Sequence, residues 1–130
     1  MSAVRSKNTR LEEKLIEILE SEGLTNYNRY AKDLPGTPDV VFRAERVAVF
    51  LDSCFWHGCP RHLRRPSSNT DYWQVKIEKN IRRDRRQRAA LRRAGWSALR
   101  IWEHDLGRPQ AIVKKIQRVL SAKRAHHAQR

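Results

Sequence analysis

Two aspartates bracket the most apolar stretch of this sequence. Asp39 follows Pro38 and opens a short segment, rich in β-branched and aromatic residues, that ends at Phe42. Asp52 stands 13 positions later, directly after the apolar run Val47 to Leu51. If the two segments pair as a hairpin, the start of one strand lies beside the end of the other, and both carboxylates reach one edge of the sheet. Paired carboxylates at a strand end form a hard oxygen site suited to Mg²⁺. Such a site polarises a phosphate and supports hydrolysis of a phosphodiester. The plainer alternative keeps Asp39 as a turn residue and Asp52 as a strand terminator. His57 lies five residues beyond Asp52. An imidazole titrates near neutral pH and can serve as general base or acid, or equally as a surface residue or metal ligand. Glu12 follows Thr9 at the spacing of a capping box. It reads as the carboxylate of that cap or as an acid that orients water on the metal, and the two roles are compatible.

A second constellation follows at once. Cys54-x4-Cys59-x2-His62 sets three soft or borderline ligands within nine residues. Structural zinc takes four, usually Cys and His in a tetrahedron. His104 is the best fourth candidate, because it follows a predicted strand, Trp96–Trp102, that a mixed sheet can lay beside this loop. A zinc ion would hold the irregular 53–69 segment in shape. The alternative is two free thiols and scattered histidines; His126 and His127 are expected to be solvated. Phe55 and Trp56 stand between two of the proposed ligands. Adjacent rings on a rigid loop can wedge between base pairs, or plug the loop from beneath.

Charge narrows the partner. The 130 residues hold 28 Lys and Arg against 14 Asp and Glu, a net charge of +14. Residues 61–130 alone hold 20 basic and five acidic side chains, so this half carries the whole excess. Such asymmetry points to a polyanion, most often a nucleic acid. Arg outnumbers Lys 20 to 8, which suits bidentate contacts to phosphate and guanine. The longest purely apolar run is five residues, against the roughly 20 that a membrane span needs. No signal-peptide pattern opens the chain and two neighbouring cysteines make no disulfide framework, so an oxidising, secreted setting is not expected.

The elements that must position these residues are legible from spacing. Residues 1–8 form a basic arm, residues 9–120 one domain, and residues 121–130 a tail expected to fray. Leu11, Leu15, Ile18 and Leu19 recur at helical spacing from Thr9 until Gly23 stops the helix. Thr25–Ala31 reads as a first strand, with Tyr27 and Tyr30 as packing residues, and Leu34–Pro38 as a turn. Strands are expected over Asp39–Phe42 and Arg46–Asp52. Thr70 caps a helix to about Ala94, with Gly95 at its end and Trp73, Ile77, Ile81 and Leu91 on its buried stripe. Its other faces carry most of Arg82, Arg83, Arg85, Arg86, Arg88, Arg92 and Arg93. Strand Trp96–Trp102 and a helix from Pro109, with stripe Ile112, Val113, Ile116, Val119 and Leu120, complete the chain. The order predicts a small α/β sandwich around a mixed sheet.

The runs Leu34-Pro35-Gly36-Thr37-Pro38-Asp39 and Val49 to Pro60, followed by Asp71-Tyr72-Trp73, Arg82-Arg83-Asp84-Arg85-Arg86 and Trp102-Glu103-His104, resemble the very-short-patch repair (Vsr) endonucleases. The resemblance spans about residues 5 to 106. It implies a restriction-endonuclease-like fold of the PD-(D/E)xK superfamily. It also implies a Mg²⁺-dependent nick on the 5′ side of the thymine in a T:G mismatch of double-stranded DNA. By position, Asp39 matches the family's metal-binding aspartate, His57 its catalytic histidine and Glu12 the helix acid that supports water on the metal. The Leu51 position supplies a backbone carbonyl to the metal. Phe55 and Trp56 match intercalating residues, Cys54 matches a zinc cysteine, and His104 falls where some members have another cysteine. There are departures. Asp52 stands where the best-known members have histidine, and an acid there resembles the metal ligand of the broader superfamily. Cys54 takes the place of that superfamily's lysine. Cys59 and His62 are assigned to zinc by ligand chemistry alone. The N-terminal arm looks shorter than in those members, where it clamps DNA, and here Arg5, Lys7 and Arg10 are the residues at hand for that task.

The resulting expectation is a zinc-stabilised, Mg²⁺-dependent mismatch endonuclease. Asp39, Asp52, Glu12 and His57 sit at its centre, and Arg82, Arg83, Arg85 and Arg86 on its DNA face. It is expected to act as a monomer in the bacterial cytoplasm, at the nucleoid. Association with a mismatch-repair factor or a DNA cytosine methyltransferase is left open. Three rivals stand beside it: a nuclease of the same fold for branched or modified DNA, a zinc-stabilised DNA-binding module without catalysis, and an RNA-binding accessory protein.

Overall fold

The structure is a computed structural model that describes residues 9–53 and 70–128. Helix α1 (Thr9–Ser21) leads into strands β1 (Asn28–Arg29), β2 (Val40–Phe42) and β3 (Val47–Asp52). Helix α2 (Thr70–Arg93), strand β4 (Ser97–Trp102), a short 3-10 turn (Glu103–Gly107) and helix α3 (Pro109–Ala128) follow. The sheet has the order β1-β2-β3-β4. β1–β2 and β2–β3 are antiparallel and β3–β4 is parallel, with α2 as the crossover, so the sheet is mixed as expected.

Side-chain alternation divides the core into two layers. Val47, Val49 and Leu51 of β3 point to one face, where Leu15 and Leu19 of α1 and Ile112, Ile116 and Leu120 of α3 cover them. Ala48 and Phe50 point to the other face, against Leu91 of α2, with Trp96 and Ala98 packed alongside. A strand covered on both faces has no polar side to show, which is why Val47 to Leu51 is unbroken apolar sequence.

Both helix stops rest on glycines in the left-handed region. Gly23 (φ 75°) follows α1 and Gly95 (φ 88°) follows α2. Leu24 N–H returns to Leu19 O at 2.9 Å, and Trp96 N–H to Leu91 O at 3.0 Å, which satisfies carbonyls the helix ends would orphan. The expected first strand is shorter than Thr25–Ala31. Tyr30 turns to φ 53° and ends the extended backbone, although Tyr30 N–H and Ala31 N–H still bond to the carbonyls of Asp39 and Pro38. α3 continues past Ser121, the expected start of the tail, to Ala128. Its last turns are anchored by Arg124 Nε on Glu45 Oε2 at 2.7 Å and Lys123 Nζ on Gly95 O at 3.1 Å.

The turn before Asp39 is built by its sequence. Thr37 N–H bonds Leu34 O at 3.1 Å, with Pro35 and Gly36 between them and Gly36 at φ 81°. Proline then glycine is the pattern of a type II turn. A Cβ on Gly36 would lie 3.0 Å from Phe50 Cε1 and 3.1 Å from Gln87 Oε1. Gly36→Ala therefore strains both backbone and packing. It should cost about 1–3 kcal/mol, read as a lower urea midpoint at unchanged m-value.

Candidate active site

β2 ends three residues into its pairing with β3, at Val40 opposite Val49, whereas β3 runs on to Asp52. The upper end of β3 therefore has no strand on its β2 side. Asp39 fills that place. Its N–H bonds Val49 O at 3.0 Å, and its Oδ2 accepts the Leu51 N–H at 2.7 Å. A carboxylate thus continues the ladder where the backbone stops. The N–H and C=O of one strand residue point to the same neighbour, so the Leu51 carbonyl also faces the Asp39 side. The Asp39 carboxylate is thereby held against the Leu51 main chain. Asp39 itself is 3% exposed.

Glu12 comes from the first turn of α1 and is buried. It shares a small recess with Asp39, Arg29 and Tyr30, floored by Leu15, Ile16 and Val40. The Tyr30 hydroxyl donates to Glu12 Oε1. Glu12 Oε2 is buried and has no hydrogen-bond partner among the described residues. Burial pushes the Tyr30 phenol above its ordinary value, and the bond to Glu12 and that group's charge add to the effect. Arg29 bonds Glu13 Oε2 at 3.0 Å and lies 5.2 Å from the centre of the Tyr30 ring. The side chain of the expected capping partner, Thr9, lies outside the described residues.

Asp52 stands at the same end of the sheet but on the other face, since it alternates with Leu51. Arg88 of α2 donates to its Oδ2 at 2.7 Å. Arg100 Nε of β4 is also 2.8 Å from that oxygen, as an ion pair rather than an aligned hydrogen bond. Arg88 stacks 4.4 Å from the Phe50 ring and Arg100 4.6 Å from the Trp102 ring. Burial lowers the Arg100 guanidinium below its ordinary value and the Arg88 charge lowers it further, while Asp52 and Asp84 oppose them. The guanidinium remains charged. Arg88, expected among the residues on the solvated faces of the helix, is instead buried as the partner of Asp52.

Arg82, Arg83, Arg85 and Arg86 are exposed on α2, as a phosphate-binding face requires. Asp84 between them is buried, 3.6 Å from Arg83. His104 is half-buried in the 3-10 turn, stacked on Trp102 and 3.5 Å from Asp105. Trp102 pairs with Asp52, so His104 follows β4 at the sheet end where β3 also finishes. Arg5, Lys7, Cys54, Phe55, Trp56, His57, Cys59 and His62 lie outside the described residues. Among the described residues no group of three or more His, Cys, Asp or Glu forms a metal cluster.

Four residues of the site were missed in the sequence: Tyr30, Asp84, Arg88 and Arg100. Tyr30 read as packing. Asp84 carried a signal, as the lone acid in an arginine run and four positions before Arg88 on one helical face. Arg100 carried a weaker one, as a charge at the alternation positions of Ala98 and Trp102.

The family model of the DNA mismatch endonuclease Vsr matches residues 1–62. The type II nicking enzyme V.XorIIP of Xanthomonas oryzae pv. oryzae is 41% identical over 121 residues, 92% of this chain and 88% of that protein. The chain belongs to the Vsr family of DNA mismatch endonucleases. Within the family, the DNA mismatch endonuclease Vsr of Escherichia coli (strain K12) is 36% identical over 104 residues, 79% of this chain and 66% of its own. The type II nicking enzyme V.HpaIIP of Haemophilus parainfluenzae is 34% identical over 119 residues, 89% and 84% of the two chains. Vsr membership brings the restriction-endonuclease-like fold, and the mixed four-stranded sheet between helices agrees with it.

The Arg88–Asp52 pair yields a direct test. Arg88→Met deprives a carboxylate that is 3% exposed of a buried cationic partner. It should cost about 3–5 kcal/mol in urea unfolding. Adding Asp52→Asn should recover part of that loss, so the double variant costs less than the sum of the singles.

Proposed function

We propose that this chain is a Mg²⁺-dependent endonuclease that nicks one strand of duplex DNA, 5′ to the thymine of a T:G mismatch. The observation that carries this reading is the oxygen cluster at the open end of the β2–β3 hairpin. Glu12 and Asp39 line one recess there together with Arg29 and Tyr30, Asp39 bonds the Leu51 amide, and Glu12 Oε2 is buried with no hydrogen-bond partner among the described residues. An all-oxygen donor set with a spare carboxylate atom fits a hard, hydrated cation. The relatives, one named as a mismatch endonuclease and two as nicking enzymes, support a DNA substrate.

Asp39 and the Leu51 carbonyl would hold the ion, with Glu12 orienting water beside it. Mg²⁺, when bound, polarises the scissile phosphate and stabilises the oxygen that leaves. Asp52 enters differently from the sequence expectation. Its Oδ2 is committed to two guanidinium groups, so its part is to hold Arg88 and Arg100 under the strand end. That leaves the proton to His57, the one titratable side chain of the motif suited to general acid or base work near pH 7. Phe55 and Trp56 would open the stack beside the weak T:G pair, at a cost of a few kcal/mol that is smaller at a mismatch. Cys54, Cys59, His62 and His104 would hold a structural Zn²⁺. The exposed arginines of α2 would anchor phosphates, and Arg5 and Lys7 would add contacts from the arm. This reading puts the protein at the nucleoid of a bacterial cytoplasm, acting as a monomer. Among the described residues no helix is long and apolar enough to cross a membrane.

The test is nicking of a labelled duplex with one T:G mismatch in Mg²⁺, against matched T:A and C:G duplexes. A nick beside the thymine only in the mismatched duplex is expected. Asp39→Ala should abolish it while duplex affinity stays within about twofold. Equal cutting of all three duplexes would leave a nuclease of this fold with another target. Binding without cutting in any divalent metal would leave a binding module. Affinity should also fall steeply with salt, by about 10³-fold or more between 50 and 200 mM if six or more phosphates are contacted.

A further inference from the structure

We propose that Tyr30 is a positioning residue for the metal site: it aims the Glu12 carboxylate so that one oxygen stays available to a divalent cation and its water. The proposal rests on the metal reading above. Tyr30 has a single hydroxyl proton, and that proton goes to Glu12 Oε1. Oε2 is then the atom without a partner among the described residues, in the recess shared with Asp39. The main chain of Tyr30 makes the second connection, since its N–H bonds the Asp39 carbonyl at 3.1 Å. One residue therefore touches both acids, Glu12 through its side chain and Asp39 through its backbone.

The conformation of Tyr30 is unusual in a way that fits this task. Its φ of 53° lies in the left-handed region, which a bulky residue seldom adopts. Such a conformation persists where surrounding contacts over-determine it, and functional sites are where it gathers. Here the contacts are the two bonds just named and the Arg29 guanidinium, which lies over the ring and is itself held by Glu13. The contrast with Asp52 explains why a phenol suits the position. Two guanidinium groups neutralise Asp52, whereas a hydroxyl orients a carboxylate and leaves its negative charge for a cation.

Mn²⁺ binding decides the matter without reading activity. The full chain is bound to a T:G duplex already nicked beside the thymine, and free Mn²⁺ is followed by electron paramagnetic resonance. Tyr30→Phe keeps the ring and removes the donor. It should weaken Mn²⁺ binding about tenfold or more with duplex affinity close to wild type, while the urea midpoint falls because Glu12 Oε1 loses its donor. The Mg²⁺ needed for half-maximal nicking should rise by a similar factor. In a Glu12→Gln background, Tyr30→Phe should add little further loss, because the hydroxyl acts through that carboxylate. Wild-type Mn²⁺ affinity in Tyr30→Phe, or an equal loss in both backgrounds, overturns the proposal. If Asp39→Ala also leaves Mn²⁺ binding intact, the metal reading itself has failed, and the role of Tyr30 falls with it.

Discussion

The hydrogen bond from the Leu51 amide to the Asp39 carboxylate is the contact on which the arrangement of this end of the molecule depends. β2 is three residues long and β3 is six, so β3 outruns its antiparallel partner. A buried amide left unpaired there would cost about 1–3 kcal/mol. A charged acceptor repairs that loss with a bond stronger than a neutral one. The same bond brings an acid against the main chain of the strand that ends in Asp52. Sheet pairing and site assembly are here one event.

Two electrostatic environments lie on opposite faces of this strand end. On the α1 face, a phenol donates to Glu12 and an amide to Asp39, with the Arg29 guanidinium lining the same recess. On the α2 face, Asp52 meets two guanidinium groups stacked on aromatic rings. Neutral donors orient a carboxylate and keep its charge; cations cancel it. The first face is suited to receive a cation and the second to hold the sheet against α2. Both sets of acids are more than nine-tenths buried, so burial alone does not tell them apart.

Helix α2 serves core, site and surface at once. Leu91 and Ile77 are buried, with Leu91 in the core layer that Phe50 also joins. Asp84 and Arg88 carry charge into the interior beside Arg100 and Asp52. The remaining arginines of the run face solvent. A helix turns 100° per residue, so a run of like charges cannot all lie on one face. In this run Arg88 turns inward because a buried carboxylate waits for it.

Periodicity and turn chemistry were sufficient for the elements. Apolar spacing gave α1, α2 and α3. The unbroken run Val47 to Leu51 implied a strand covered on both sides, and Pro35-Gly36 implied the turn that delivers Asp39. Gly23 and Gly95 marked the helix ends because few other residues tolerate their backbone angles. These are local properties, carried by each residue and its near neighbours. The pairing of Asp39 with Leu51 was within reach too, because a short hairpin leaves few registers. Tertiary structure alone decided which partner each buried charge receives. Arg88 lies 36 positions from Asp52, and Tyr30 lies 18 from Glu12. Nothing local distinguishes a tyrosine that packs from one that orients an acid, or an arginine for DNA from one for an aspartate. The difference lies in which faces of α1, α2 and β3 are pressed together, and that is settled only when the two core layers close on the sheet.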